Sequence, residues 1–99
     1  METAISVHSI VVATKHQVSC ALGAETAILN MKNSVYYGID AVGTRVWSLL
    51  QQPRSVREVC EAMLDEYDVD RDRIERDVLA LLAEMKGEGL IEVTGAANV

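Results

Sequence analysis

Several residue types that support common protein functions are scarce in this 99-residue chain. It has no Phe, one Trp, three Tyr, one Pro and two Cys. Because aromatic residues are so few, aliphatic side chains must fill the core, and the length suffices for a single domain, residues 1–99. Cys20 and Cys60 are far apart in the sequence, and Cys60 has neither a second Cys nor a His beside it at metal-ligand spacing. We interpret both as reduced thiols in the core.

Motifs for catalysis and metal binding are also missing. The chain has no P-loop, no Gly-rich nucleotide turn and no recognisable Ser, His and Asp arrangement. His16 and Cys20 are spaced as zinc ligands can be, but a structural zinc site needs four ligands and His8 is the only other histidine. The sequence therefore predicts a protein that is not an enzyme and has no metal site or cofactor.

Long apolar runs are absent as well. None approaches the roughly 20 residues that cross a bilayer, and the N-terminal residues Met1 to Ala4 lack the basic charge of a signal peptide. We expect a cytoplasmic chain that begins at its true start and has no membrane partner.

The net charge of −6 is concentrated in the second half of the chain. Residues 1–55 contain four basic and three acidic side chains, whereas residues 56–99 contain five basic and twelve acidic ones. Most of the affinity for DNA comes from neutralising phosphates with Lys and Arg. The distribution therefore argues against a nucleic-acid partner.

Three short segments have the composition of β-strands. They are Gln17 to Leu22, Thr26 to Met31 and Val35 to Ile39, separated by turn residues that include Gly23 and Asn33. Asn33 tolerates the left-handed conformation that a tight turn needs. The pattern predicts an antiparallel meander in which Val35, Tyr37 and Ile39 face the core and Tyr36 and Gly38 face the other way.

Three helices follow these strands. Asp40 is placed to cap a helix from Ala41 to Leu50 that carries Trp47 in the core, and Ser55 with Glu58 forms a capping box for the second. Asp70 is placed to cap a third helix that runs to about Lys86. Apolar residues recur at helical spacing: Val56, Val59, Cys60, Met63, Leu64 and Tyr67 in the second helix, and Ile74, Val78, Leu81 and Met85, widened by Leu79 and Leu82, in the third.

Both ends of the chain are less defined. Residues 1–13 contain the apolar segment Ala4 to Val12, which is either an extra strand or an arm. Gly89 to Val93 is strand-like, and residues 94–99 are expected to be a frayed tail. Together the elements predict an α+β, winged-helix-like fold with a three-stranded antiparallel sheet followed by three helices.

The strand from Val35 to Ile39 has no later segment that clearly covers its outer edge. An uncovered edge either promotes aggregation or is a docking site for another strand. On the third helix, Arg73, Asp77, Ala80 and Glu84 form a second stripe opposite the apolar one. This stripe is either an ordinary solvated face or one wall of a groove beside the open edge.

Several of these features resemble the PqqD-like family in their order and spacing. They are Tyr36 to Asp40, Gly43, Trp47, Leu49 and Leu50, the segment Ser55 to Val59, Asp77 to Leu82 and Gly89 to Ile91. The resemblance covers about residues 16–93. It implies a leader-peptide recognition element of a pathway for ribosomally made, modified peptides, and a free-standing chain of this size resembles the version of lasso-peptide systems.

The resemblance also implies how such a protein works. The precursor's leader adds as a strand beside the third strand, here Val35, Tyr36, Tyr37 and Gly38, and lies against the third helix, here Arg73, Asp77, Ala80 and Leu81. A Tyr and a Pro of the leader enter an apolar cleft, and the complex passes to a separate leader peptidase and cyclase. The N-terminal apolar segment has no counterpart in this comparison.

Two other functions fit the same elements. One is a winged-helix transcription regulator, but residues 65–77 hold seven acids against three arginines, which opposes phosphate contact. The other is a non-catalytic scaffold that dimerises through its open strand edge.

Overall fold

The computed structural model describes residues 5–96 and has two small antiparallel sheets and three helices. The strands are β1 (Ser9–Ala13), β2 (Gln17–Leu22), β3 (Glu25–Asn30), β4 (Val35–Ile39), β5 (Arg54–Ser55) and β6 (Ile91–Ala96); the helices are α1 (Ala41–Leu49), α2 (Val56–Glu66) and α3 (Arg71–Gly87). The predicted α+β fold, with a three-stranded meander followed by three helices, is confirmed. The second sheet was not predicted.

The first sheet is the meander β2-β3-β4, and β4 lies at one of its edges. Its second hairpin closes differently from the prediction, because Ser34, with φ of 61°, adopts the left-handed conformation instead of Asn33. The side-chain oxygen of Asn33 accepts a hydrogen bond of 3.0 Å from the amide of Val35. Asn33 therefore supports the turn with its side chain, as Asn commonly does.

The second sheet joins the two ends of the described chain in the order β5-β1-β6. The N-terminal segment thus forms an inner strand at Ser9–Ala13, and residues 5–8 precede it without regular structure. Residues 94–96 belong to β6 and not to a frayed tail, because β1 supplies them with a pairing partner as far as Ala96. Residues 1–4 of the predicted arm and 97–99 of the predicted tail lie outside the described residues.

Local capping determines where the helices begin. The carboxylate of Asp40 accepts from the amide of Gly43 at 2.8 Å, and that of Asp70 accepts from Arg73 at 2.8 Å. Ser55 and Glu58 form the reciprocal capping box. Each cap satisfies backbone donors that the first turn leaves without partners, so all three predicted starts are confirmed. None of the helices within residues 5–96 is long and apolar enough to cross a membrane.

The core lies between the three helices and the inner faces of the sheets, and α1 contributes Val46 and the predicted core residue Trp47. On α3 its members are Ile74, Val78, Leu82 and Met85. Leu82 is fully buried whereas Leu81 is only half-buried, so Leu82, which was predicted only to widen the apolar stripe, takes the central place that was predicted for Leu81. Tyr37 and Ile39 pack against the core, but Val35, also assigned to it, is 42% exposed because it begins β4 directly after the turn of the hairpin.

The two cysteines differ in environment. Cys60 is buried, and this burial raises the pKa of its thiol to about 11. Cys20 is exposed, so its assignment to the core is wrong. Cys20 pairs with Ala27 of β3 in a register that places its side chain on the sheet face opposite the helices.

Polar side chains attach the C-terminal end of α3 to the first sheet. Asn30 donates from its side-chain amide to the carbonyl of Glu88 at 2.9 Å, and His16 donates from Nε2 to the carbonyl of Gly89 at 3.0 Å. The hydroxyl of Thr14 donates to the same Gly89 carbonyl. These bonds satisfy carbonyl groups that a helix C-terminus leaves free, and they hold the end of α3 beside the β3–β4 hairpin.

Candidate functional site

The hydrogen bonding between β2 and β3 determines which backbone groups of β4 are free. The amide of Met31 donates to the carbonyl of His16 at 2.9 Å. Antiparallel strands alternate between pairs that exchange hydrogen bonds and pairs whose backbone groups point the other way. The preceding residue, Asn30, therefore turns its backbone groups away from β2 and toward its partner on β4, Val35.

The same alternation gives the direction of the backbone N–H and C=O groups in the rest of β4. Tyr37 and Ile39 direct their backbone groups to β3, where they face Ile28 and Thr26. Tyr36 and Gly38 direct theirs to the outer edge. No strand among residues 5–96 pairs with β4 on that side. The edge consequently offers two N–H and two C=O groups in the geometry that a further strand requires.

The side chains of β4 point to opposite faces of the sheet. Tyr37 and Ile39 are half-buried on the inner face, toward the helices. Tyr36 and Gly38 lie on the outer face, where Tyr36 is 72% exposed. The four strand residues predicted as a site therefore lie together at one open edge, but they present different faces.

The predicted helical residues also share one face. Arg73, Asp77, Ala80 and Leu81 fall within about a quarter of the circumference of α3, at 100° per residue. Arg73, Asp77 and Ala80 are exposed, and Leu81 is half-buried at the border with the core. These residues therefore form one surface of α3, which is charged at Arg73 and Asp77 and apolar at Leu81.

A hydrogen bond turns this helical surface toward β4. The hydroxyl of Tyr37 donates to Oε2 of Glu88 at 2.7 Å. Glu88 immediately follows α3, and its position in the helical repeat lies on the same face as Asp77 and Leu81. We call the surface between this face of α3 and the open edge of β4 the groove.

Positive and negative side chains are unequally distributed on the α3 side of the groove. Arg73 and Asp77 approach each other at 3.8 Å, and both side chains are more than 60% exposed, at 65% and 63%. A pair this exposed contributes little to stability, so either group can exchange its partner for a ligand at low cost. Glu84 lies on the same face and adds negative charge.

Glu88 is the residue of this site that the sequence prediction missed. The predicted helix ended at about Lys86, so Glu88 was placed beyond it. The available signal was the spacing of four residues from Glu84, which continues the charged stripe by one turn. Only the packing of the hairpin against α3 brings Glu88 to Tyr37.

The Tyr37–Glu88 contact has a measurable consequence for proton binding. The hydrogen bond to Glu88 raises the pKa of the Tyr37 phenol above its usual value of 10.0. A pKa that is higher in the folded chain means that the contribution to stability is complete below pH 10.0 and is lost as the pH rises through the folded value. We expect Tyr37 to ionise after an unperturbed tyrosine in an ultraviolet titration of the folded protein, and Glu88→Ala to return its pKa toward the usual value.

The titration of Tyr37→Phe identifies which transition belongs to this residue. If that variant loses a transition at an ordinary tyrosine pKa, the hydrogen bond to Glu88 does not persist in solution.

A metal site is not evident in the described part of the chain. Residues 5–96 contain no group of three or more His, Cys, Asp or Glu side chains arranged to hold an ion. His16, the first candidate ligand, instead donates to the end of α3.

Comparisons with known proteins find solved structures of similar architecture. A solved structure described as TbiB1 in complex with the TbiA(beta) leader peptide is 33% identical, with a TM-score of 0.77, over 88% of this chain and 99% of that one. A second, lasso peptide synthetase B1 complexed with the leader peptide, is 20% identical, with a TM-score of 0.74, over 83% of this chain and 96% of that one, and this likeness establishes the fold. A search of curated proteins finds no match.

The sequence itself matches a family over the region that contains the whole groove. Residues 25–91 match the family described as coenzyme PQQ synthesis protein D (PqqD). This range includes β3, β4 and all three helices. The chain therefore belongs to the PqqD family.

Proposed function

We propose that this protein binds the leader segment of a ribosomally made precursor peptide and adds it as a strand to the open edge of β4. The observation that carries the proposal is the outward orientation of the backbone groups of Tyr36 and Gly38 beside the groove. The similarity to TbiB1, whose structure contains a leader peptide, supports it. In strand addition the backbone bonds provide attachment and the side-chain surroundings provide selection.

The face of α3 that carries Arg73, Asp77, Ala80 and Leu81, here called the helical wall, selects among leader side chains on the inner face of the sheet. Arg73 and Asp77 offer a donor and an acceptor one turn apart, Ala80 leaves room, and Leu81 offers apolar surface. A leader strand beside β4 has alternate side chains directed to this wall. The protein then presents the bound precursor to a separate leader peptidase and a cyclase, and it binds without cutting.

Fluorescence anisotropy with a labelled leader from the precursor gene beside the gene for this chain tests the proposal. We expect a dissociation constant from below micromolar to micromolar, which corresponds to about −8 kcal/mol or stronger. Absence of binding at tens of micromolar would falsify leader binding. A dimer in light scattering that does not dissociate on adding the peptide would support a scaffold that occupies the same edge with a second copy.

Variants in the helical wall test the placement of the leader. Arg73→Ala and Asp77→Ala are expected to keep the fold and to weaken binding by about 1–2 kcal/mol each, because each removes one hydrogen bond to the leader. The matched control is Arg76→Ala, since Arg76 is an exposed residue of the same helix outside this face. Equal changes for Arg73→Ala and Arg76→Ala, with a change of opposite sign for Asp77→Ala, would indicate general electrostatics instead of the groove, because the arginine and aspartate substitutions change the net charge in opposite directions.

A further inference from the structure

A depression lies on the outer face of the first sheet, opposite the helices. Its volume is about 390 Å³, and it is lined by Leu22, Ala27, Gly38 and Ile39 together with Thr26 and the carboxylates Glu25 and Asp40. Ala27 of β3 pairs with Gly38 of β4, so these two residues form its floor across two neighbouring strands. Leu22 at its wall is 62% exposed. This surface is distinct from the groove between β4 and α3, which lies on the inner face.

Gly38 is not required by the packing of the protein itself. A Cβ atom added at this position would meet no other atom within 4 Å, and the backbone is not in the left-handed region that favours glycine. Glycine within a strand lowers stability and commonly marks a place where another chain approaches. The space above Gly38 is therefore available to a ligand. Contacts within the protein do not explain why this position lacks a side chain.

The alternating direction of the backbone groups along β4 connects this depression to the open edge. Because the backbone groups of Gly38 point outward, a strand added to β4 places one residue directly opposite Gly38. Side chains of directly opposed residues lie on the same face of a sheet. The opposed residue of the added strand must therefore extend over the outer face at the position of Gly38.

A large side chain is the one that gains most from this position. Aromatic residues stabilise cross-strand pairs with glycine by covering it. From the added strand, such a side chain can pass over Gly38 and reach Ala27 and Leu22, which are apolar and incompletely buried. A small side chain would leave the surface of Ala27 and Leu22 exposed to water, and the lining carboxylates Glu25 and Asp40 disfavour an acidic side chain.

From these observations we infer that the depression over Gly38 is a second specificity subsite for the leader, and that it accepts one large apolar or aromatic side chain on the sheet face opposite α3. The inference rests on the proposed function, because the side chain belongs to a strand added at β4. It assigns to Gly38, Ala27 and Leu22 a role in selecting the leader sequence, whereas the α3 wall selects through the other face.

Filling the depression provides the test. Gly38→Val adds a branched side chain that strands favour, and the structure leaves space for it, so the fold is expected to persist. We expect it to weaken binding of the labelled leader about tenfold or more by overpacking the occupied subsite. Ala27→Val fills the same space from β3 without altering the edge strand, and the same direction of change is expected.

A matched control separates this effect from a general effect of replacing strand glycine. Gly95 lies in β6, and a Cβ atom added there also meets nothing within 4 Å. Gly95→Val is expected to leave leader binding unchanged. Circular dichroism of the three variants establishes that each one is folded.

Leader variants identify the occupant. Each large apolar or aromatic residue of the leader is replaced by Ala and measured against the unaltered chain and against Gly38→Val. One replacement should weaken binding about tenfold to the unaltered chain and cause no further loss with Gly38→Val, since both changes remove the same contact between the leader side chain and the subsite. If Gly38→Val and Ala27→Val bind the leader normally, or if every leader replacement is additive with Gly38→Val, the subsite is refuted while leader binding stands. Failure of the unaltered chain to bind instead refutes the proposed function and the subsite with it.

Discussion

Proline at position 36 is expected to abolish leader binding and preserve the fold, whereas proline at position 37 is expected to unfold the protein. Proline lacks the amide proton and cannot donate to a strand ladder. The amide of Tyr36 points to the open edge, so its loss removes a donor to the leader. The amide of Tyr37 points to Ile28 in β3, and its loss breaks the hairpin between β3 and β4.

The expected effects are large in both cases. A carbonyl group left without its donor in the interior of the sheet costs about 1–3 kcal/mol, and the proline ring adds steric conflict with the neighbouring strand. A domain of this size is stable by only about 5–15 kcal/mol, so Tyr37→Pro removes much of the stability. For Tyr36→Pro, the corresponding loss appears in the complex and not in the free protein.

Alanine variants at the same two positions provide the controls, because they remove the phenol rings but keep the amides. Circular dichroism with thermal unfolding measures the fold, and anisotropy with the labelled leader measures binding. Tyr36→Ala should bind better than Tyr36→Pro, and Tyr37→Ala should be more stable than Tyr37→Pro. If Tyr36→Pro binds as well as Tyr36→Ala, the leader does not pair with β4.

Leu82→Ala is expected to destabilise the protein by about 2–5 kcal/mol, the range for truncating a fully buried leucine. Leu82 is completely shielded from solvent at the centre of the α3 stripe. Replacement leaves a cavity among Val78, Met85 and the facing residues of the core, which can close only partly. A decrease in the urea midpoint with an unchanged slope is the expected observation.

Leu81→Ala is the matched variant on the same helix. Leu81 is half-buried beside the groove, so its truncation should cost clearly less stability than that of Leu82 but should weaken leader binding. Leu82→Ala should therefore affect mainly the unfolding measurement, and Leu81→Ala mainly the binding measurement. Equal losses of stability at 81 and 82, with no change in binding at 81, would place Leu81 in the core and outside the groove.

The helix starts could be predicted from the sequence because each depends on residues three positions apart. The pairs are Asp40 with Gly43, Ser55 with Glu58 and Asp70 with Arg73. The meander was predictable for a related reason, since short turns connect strands that are neighbours along the chain. The edge position of β4 followed from the lack of any later segment suited to pair with it.

The errors concern residues whose environment depends on distant parts of the chain. Cys20 is exposed because its face of the sheet has no helix over it within the described residues, a fact that strand alternation alone does not reveal. Val35 is exposed because it begins the strand. The turn conformation moved from Asn33 to Ser34 because the side chain of Asn33 is used to bond Val35.

The sequence by itself determined the helices, the meander, the open strand and the family resemblance, since capping, periodicity and turn chemistry act over a few residues. Only the tertiary structure decided the pairing of β1 with β6, because those strands lie at opposite ends of the chain. The contact of Tyr37 with Glu88, which turns the helical wall toward β4, likewise requires the folded hairpin and the end of α3 to meet. The depression over Gly38 exists for the same reason, since the shape of a binding surface depends on which segments lie side by side and which face of each remains uncovered.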